Sequence, residues 1–174
     1  MIILFSGVPA TGKTALARAV AQHYQLPILT RDALNQFLYM RELISENTID
    51  SYLLMLELAT QFADVGTGVV LEGVFPRAEF RQTARTIATQ HNMPFYAIQC
   101  IMSDHDLWKK RWQARRDAGS QSHWMTFTWD DVLQIKSRFE AWYTANVVTV
   151  DAINSIDSNL ARILAHINNS QTTL

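Results

Sequence analysis

The chain has 174 residues, of which 48% are apolar and 18% charged, with a formal net charge of −1. A chain of this length suits one domain that buries its own core without disulfide or metal staples. The near-neutral balance excludes a bulk electrostatic coat for nucleic acid or membrane, while leaving room for a local basic groove.

The predicted elements run in a strand–helix alternation. Ile2–Phe5 is a short apolar run ended by Gly7, as expected of a buried parallel strand. It lacks the basic flank of a signal peptide. A helix is predicted from Lys13 to Tyr24, a strand over Pro27–Thr30 and a helix over Asp32–Met40. Ile49 to Val65 keeps the helical period until Gly66 and Gly68 stop it, and Gly68–Glu72 is the third strand. A helix is expected from Pro76 to about His91, a strand over Pro94–Ile101 and a basic-ended helix over Asp104–Asp117. The polar stretch Ala118–Phe127 reads as a mobile loop. Thr128 and Asp131 have the spacing of a capping box for a helix over Asp130–Tyr143. Val147–Val150 is the fifth strand, Leu160, Ile163, Leu164 and Ile167 mark a last helix, and Asn168–Leu174 is expected to fray.

No repeat or linker divides this pattern, and no apolar run is long enough to span a membrane. Strands alternating with helices imply an α/β sandwich around a parallel sheet. The single cysteine, Cys100, cannot form an internal disulfide, which suits a reducing, cytoplasmic setting, and it reads as buried packing. The five histidines lack metal-ligand spacing and read as structural.

Gly7-Val8-Pro9-Ala10-Thr11-Gly12-Lys13-Thr14 fits G-x-x-x-x-G-K-[ST] at every fixed position. Gly7 and Gly12 free the backbone to wrap and aim its N–H groups inward at phosphate oxygens. The helix that follows adds unpaired N–H groups and its dipole. Lys13 supplies a point charge near the β- and γ-phosphates, and the Thr14 hydroxyl is a ligand for Mg²⁺. The expected ligand is ATP or GTP.

Further chemistry-bearing residues follow the strand ends, where ligands bind in open α/β sheets. Asp32, in Thr30-Arg31-Asp32, is placed either to accept a proton from an attacking hydroxyl or to cap its helix. Arg31 can bind an anion on either substrate. Glu72 ends the third strand, as a support for Mg²⁺ or a turn residue. Arg111 and Arg115 share a helical face next to the polar loop, as a lid pair gripping phosphate or as part of a solvated basic face. In the row Arg77, Arg81 and Arg85, Arg77 is nearest the strand and suits an acceptor anion, while Arg81 and Arg85 read as solvated surface. Trp124 and Trp129 flank the loop, as base-stacking or as anchoring side chains.

With these motifs in hand, the chain resembles the small P-loop kinase superfamily, in the AAA-like group with polynucleotide 5′-hydroxyl kinases, chloramphenicol phosphotransferases and zeta toxins. The resemblance rests on Ile2–Thr14, Thr30–Leu34, Val69–Gly73, Arg111–Arg116 and Val150-Asp151. It implies a three-layer P-loop sandwich whose five-stranded parallel sheet has the order 2-3-1-4-5. It implies Asp32 as general base and Arg111 with Arg115 as the lid arginines. Two positions depart from the group: Glu72 stands where Asp is usual, and Asn35 where the polynucleotide kinases have an arginine.

The expectation is thus one P-loop kinase domain over 1–174, with an acceptor-side helical insert over about 40–65 and a lid over about 116–128. Catalysis is assigned to Lys13, Asp32 and Arg115. Nucleotide binding goes to Gly7, Pro9, Ala10, Thr11, Gly12, Lys13, Thr14 and Arg111. Acceptor binding goes to Arg31, Asp32 and Arg77, and metal support to Thr14 and Glu72. The partners are a nucleoside triphosphate with Mg²⁺ and an unidentified hydroxyl acceptor, a nucleic-acid 5′ end or a small alcohol, and no membrane. A non-catalytic nucleotide-dependent binding module or a simple ATPase is the alternative.

Overall fold

A computed structural model of the chain describes residues 1–43, 49–118, 127–142 and 147–171, with side chains to residue 169. Five strands form one parallel sheet: β1 (Ile2–Ser6), β2 (Ile28–Thr30), β3 (Val69–Glu72), β4 (Phe95–Ile101) and β5 (Val147–Asp151). Their order is β2-β3-β1-β4-β5, as the resemblance implied. The order reverses between β1 and β4, so a crevice opens beyond the carboxyl end of β1. Among the described residues, seven helices flank or follow the strands: α1 (Lys13–Tyr24), α2 (Arg31–Met40), α3 (Asp50–Asp64), α4 (Ala78–Gln90), α5 (His105–Asp117), α6 (Trp129–Ser137) and α7 (Ile156–Gln171). No helix among the described residues is long and apolar enough to cross a membrane.

The apolar run of β1 follows from burial on both faces. Ile2 and Leu4 join Met55, Ala59, Phe75 and Phe80 on the α3–α4 side. Ile3 and Phe5 join Leu16, Val20, Ile163 and Ile167 on the α1–α7 side. A third apolar cluster, with Trp108, Trp112 and Val132, joins α5 and α6 to Val8 and is flanked by Trp129. Trp129 therefore anchors this cluster, while Trp124 lies outside the described residues. Cys100 is buried, as its apolar run suggested, and burial pushes its thiol up to about 12.

Most predicted elements are present with ends shifted by a residue or two. The capping box of α6 is formed: the Thr128 hydroxyl accepts from Asp131 N–H, and the Asp131 carboxylate accepts from Thr128 N–H. Two neighbouring expectations fail together. The helix predicted to reach Tyr143 ends at Ser137, and Arg81, expected on the solvated surface, is buried at 3% exposure.

One set of contacts links the two. The Arg81 guanidinium donates to the carbonyls of Phe75 and Pro76 at 2.8 and 3.2 Å and to those of Glu140 and Ala141, each at 2.8 Å. It also lies over the rings of Phe139 and Trp142. At the same place the Glu140 N–H donates to Pro76 O at 3.0 Å rather than to a carbonyl of its own helix, so the chain after α6 is tied to the loop after β3 from both sides. At the other end, α7 continues to Gln171, beyond the point where fraying was expected, and Tyr24 Oη donates to Asn168 Oδ1 at 3.0 Å.

Arg81→Met is expected to destabilise the chain by at least about 3 kcal/mol, because several buried carbonyls lose a charged donor. Arg85→Met, on the exposed side of α4, is expected to change stability by less than about 0.5 kcal/mol. Urea denaturation of the two variants beside the parent chain measures both.

Candidate active site

The turn after β1 is shaped by one close approach. A Cβ on Gly7 would lie 2.3 Å from the Cys100 carbonyl oxygen of β4, so only glycine fits there. Ala10 and Gly12 then take positive φ, 63° and 73°, and wind the chain into the start of α1. Side chains close the loop. Thr11 Oγ1 donates to Val8 O at 2.8 Å, and Trp108 Nε1 donates to Pro9 O at 2.7 Å. Above it lies a cavity of about 410 Å³, lined by Ala10–Ala15 together with Arg18, Arg111 and Arg115.

Lys13 and Glu72 meet below this cavity. Their charged atoms are 3.7 Å apart, and Lys13 Nζ also reaches Val8 O at 3.4 Å. Both side chains are almost wholly buried. Burial raises the Glu72 carboxyl above its ordinary value, while the Lys13 ammonium and a hydrogen bond from the Thr14 side chain pull it partway back. Glu72 thus faces the loop lysine and threonine rather than sitting in a solvent-exposed turn.

Asp32 lies in the first turn of α2, and the N-cap position belongs to Thr30. The Asp32 carboxylate is half-exposed and stands 4.0 Å from the Arg115 guanidinium. Arg115 in turn lines the loop cavity, so an acid after β2 and a cation from α5 face each other beside it. Arg111 donates to the Ala152 carbonyl at 2.8 Å, just past β5. Of the basic cluster, Arg116 lies over the Trp112 ring, so not every cation there faces the cavity.

Arg31 is buried. Its Nε donates to the Ser51 hydroxyl at 3.0 Å, its guanidinium lies over the Tyr52 ring, and burial lowers its pKa. Tyr52 accepts from the Phe75 N–H at 3.1 Å, and Phe75 holds a positive φ of 49°. Arg77 is exposed and pairs with Glu79 at 3.2 Å. Arg31, Tyr52 and Arg77 share the wall of a second cavity of about 580 Å³. Residues 44–48 of the expected insert and 119–126 of the expected lid lie outside the described residues.

Sequence reasoning missed Arg18, Trp108 and Ser51. Arg18 was detectable in principle, since it falls one helical turn after Thr14 on the same face. The bonds of Trp108 to Pro9 and of Ser51 to Arg31 span long sequence separations, and no local pattern marks them.

The AAA domain family model matches residues 2–141. No curated protein matches the chain by sequence. Among solved structures, a protein of Chloroflexus aurantiacus J-10-fl with a provisional kinase designation superposes with a TM-score of 0.75 at 20% identity, over 97% of this chain and 96% of that one. A gluconokinase from Sinorhizobium meliloti 1021 gives 0.69 at 19% identity, over 96% and 91%. Kti12 from Chaetomium thermophilum, in complex with ADP-AlF3, gives 0.75 at 13% identity, over 97% and 98%. At such identities these likenesses establish a shared fold.

The buried pair gives a pH-dependent expectation. Lys13→Met leaves the Glu72 carboxylate buried without its cation, which raises its pKa further and costs about 3 kcal/mol at neutral pH. A carboxyl raised above its unfolded value destabilises the fold only where it is charged. The cost is therefore expected to shrink as pH falls through the folded-state pKa of Glu72. Urea denaturation across acid to neutral pH measures this, and adding Glu72→Gln should remove the pH dependence.

Proposed function

The chain belongs to the AAA domain family and has the fold of the small P-loop kinases, and on that footing we propose that it transfers the γ-phosphoryl group of ATP or GTP to a hydroxyl acceptor. The observation that carries this reading is Asp32 facing Arg115 beside the phosphate-loop cavity. A bare nucleotide-binding turn has no need of a carboxylate there.

In this mechanism the loop amides and Lys13 hold the β- and γ-phosphates, with Arg111 on the donor side. The acceptor hydroxyl gives its proton to Asp32 as its oxygen attacks phosphorus, and the bond to the departing diphosphate breaks. Arg115 stabilises the charge that develops. Its pair with Asp32 is long and half-exposed, hence weak, so exchange of the carboxylate for a phosphate costs little. Arg31 and Arg77 orient the acceptor. The fold family implies Mg²⁺, and the oxygen donors of Thr14 and Glu72, joined by a hydrogen bond, suit a hard cation. Thr14 would hold it, with Glu72 behind, and it would neutralise phosphate charge. We read residues 1–174 as one kinase domain, the stretch over about 40–65 as the acceptor-side insert and that over about 116–128 as the lid.

The test is transfer from γ-labelled ATP to 5′-hydroxyl oligonucleotides, nucleosides and small alcohols. Transfer to at least one class is expected, and Asp32→Asn should lower kcat by a factor of about 10² to 10⁴ with nucleotide affinity retained. Slow hydrolysis with transfer to none of them would remove the kinase reading in favour of an ATPase or a nucleotide-dependent binding module. Full transfer by Asp32→Asn would remove the base assignment alone.

A further inference from the structure

The second cavity has a composition that selects its occupant. Three arginines line it, Arg31, Arg77 and Arg138, against two carboxyl-bearing side chains nearby, Glu140 in its wall and Glu79 paired with Arg77. Both carboxylates are already engaged: Glu140 accepts from the Ala78 N–H, and Glu79 accepts from the exposed Arg77. Arg138 lies just past α6 and is exposed, with the neutral amide oxygen of Gln134 at 3.3 Å. Its place beside the cavity follows from the buried Arg81, which draws the chain after α6 toward Phe75 and Pro76. Much of the remaining lining is apolar and includes Tyr52 and Phe80, whose rings stack with centroids 5.1 Å apart.

Resting on the phosphotransferase reading, we propose that the acceptor is a small alcohol that carries its own anionic group, phosphate or carboxylate, on an apolar or planar body. The anion lies between Arg77 and Arg138, and the body rests against the Tyr52–Phe80 wall. The hydroxyl then points toward Asp32, which follows Arg31 in the chain and pairs with Arg115 of the nucleotide cavity. Guanidinium groups bind phosphate and carboxylate through paired N–H donors, and the weak exposed contacts that Arg77 and Arg138 now make are readily exchanged. A volume of about 580 Å³ is that of a small-molecule site.

The test pairs matched alcohols with and without the anion: thymidine 3′-phosphate against thymidine, and 4-(hydroxymethyl)benzoate against its amide, with a 5′-hydroxyl decanucleotide beside them. Binding is measured by calorimetry on the protein saturated with a non-hydrolysable ATP analogue, and transfer is measured separately with γ-labelled ATP. At least one anionic member is expected to bind about tenfold or more tightly than its neutral partner. Arg138→Gln and Arg77→Gln should each weaken that member about tenfold and leave the neutral partner unmoved, and Arg85→Gln should leave both unchanged. Equal binding of charged and neutral partners, binding of neither anion at millimolar concentration, preference for the decanucleotide, or indifference to Arg138→Gln would each overturn the proposal. Arg138-dependent binding without transfer from ATP would leave the anion site standing and remove the phosphotransferase reading.

Discussion

Lys13 carries its charge into the interior, at the carboxyl ends of two adjacent strands, and meets Glu72 there at 3.7 Å. Placing two ions in such surroundings costs several kcal/mol each, which their attraction offsets only when further bonds satisfy the remaining donors and lone pairs. The Val8 carbonyl and the Thr14 side chain supply such bonds. The pair therefore ties together the loop after β1, the first turn of α1 and the end of β3.

Two further attachments hold the walls of the site. Trp108 bonds the loop at Pro9 and packs with Trp112 in the α5–α6 cluster, so the helix that carries Arg111 and Arg115 is fixed to the loop it faces. Arg81 binds the loop after β3 to the chain after α6. Both are buried, and both join segments far apart in sequence. By contrast, Arg115 with Asp32, Arg77 with Glu79 and Arg138 with Gln134 are partly or fully exposed contacts, each screened by water. Lys13, Arg31 and Arg81 are thus buried and bonded within the protein, while Arg77, Arg115 and Arg138 make exposed contacts that a ligand anion can replace. Arg115 lines the loop cavity and Arg77 and Arg138 the second one, which supports the proposed placement of donor and acceptor in separate cavities.

Local pattern was enough for most of the fold. The apolar run of β1, the glycines of the loop, the helical period of α1 and the capping box of α6 each depend on residues a few positions apart, and each is present. The strand order came from resemblance, since periodicity carries no information on which strands pair. Arg81 was misread because spacing with Arg77 and Arg85 says only that the three lie near one helical face. It does not say which of them meets the protein interior. The path of the chain after α6 was hidden for the same reason, as the arginine that binds the Glu140 carbonyl lies nearly 60 residues away.

The sequence by itself determined the phosphate loop, because backbone freedom at Gly7 and Gly12, the charge of Lys13 and the hydroxyl of Thr14 fall within eight consecutive positions. It also placed acids at the ends of β2 and β3. Only the tertiary structure decided that Glu72 turns inward to Lys13 while Asp32 stays at the surface beside Arg115. Only the tertiary structure brought Arg31, Arg77 and Arg138 to one cavity. Burial and long-range approach depend on how helices pack against the sheet, and that packing sums weak contacts over the whole chain rather than reading any one segment.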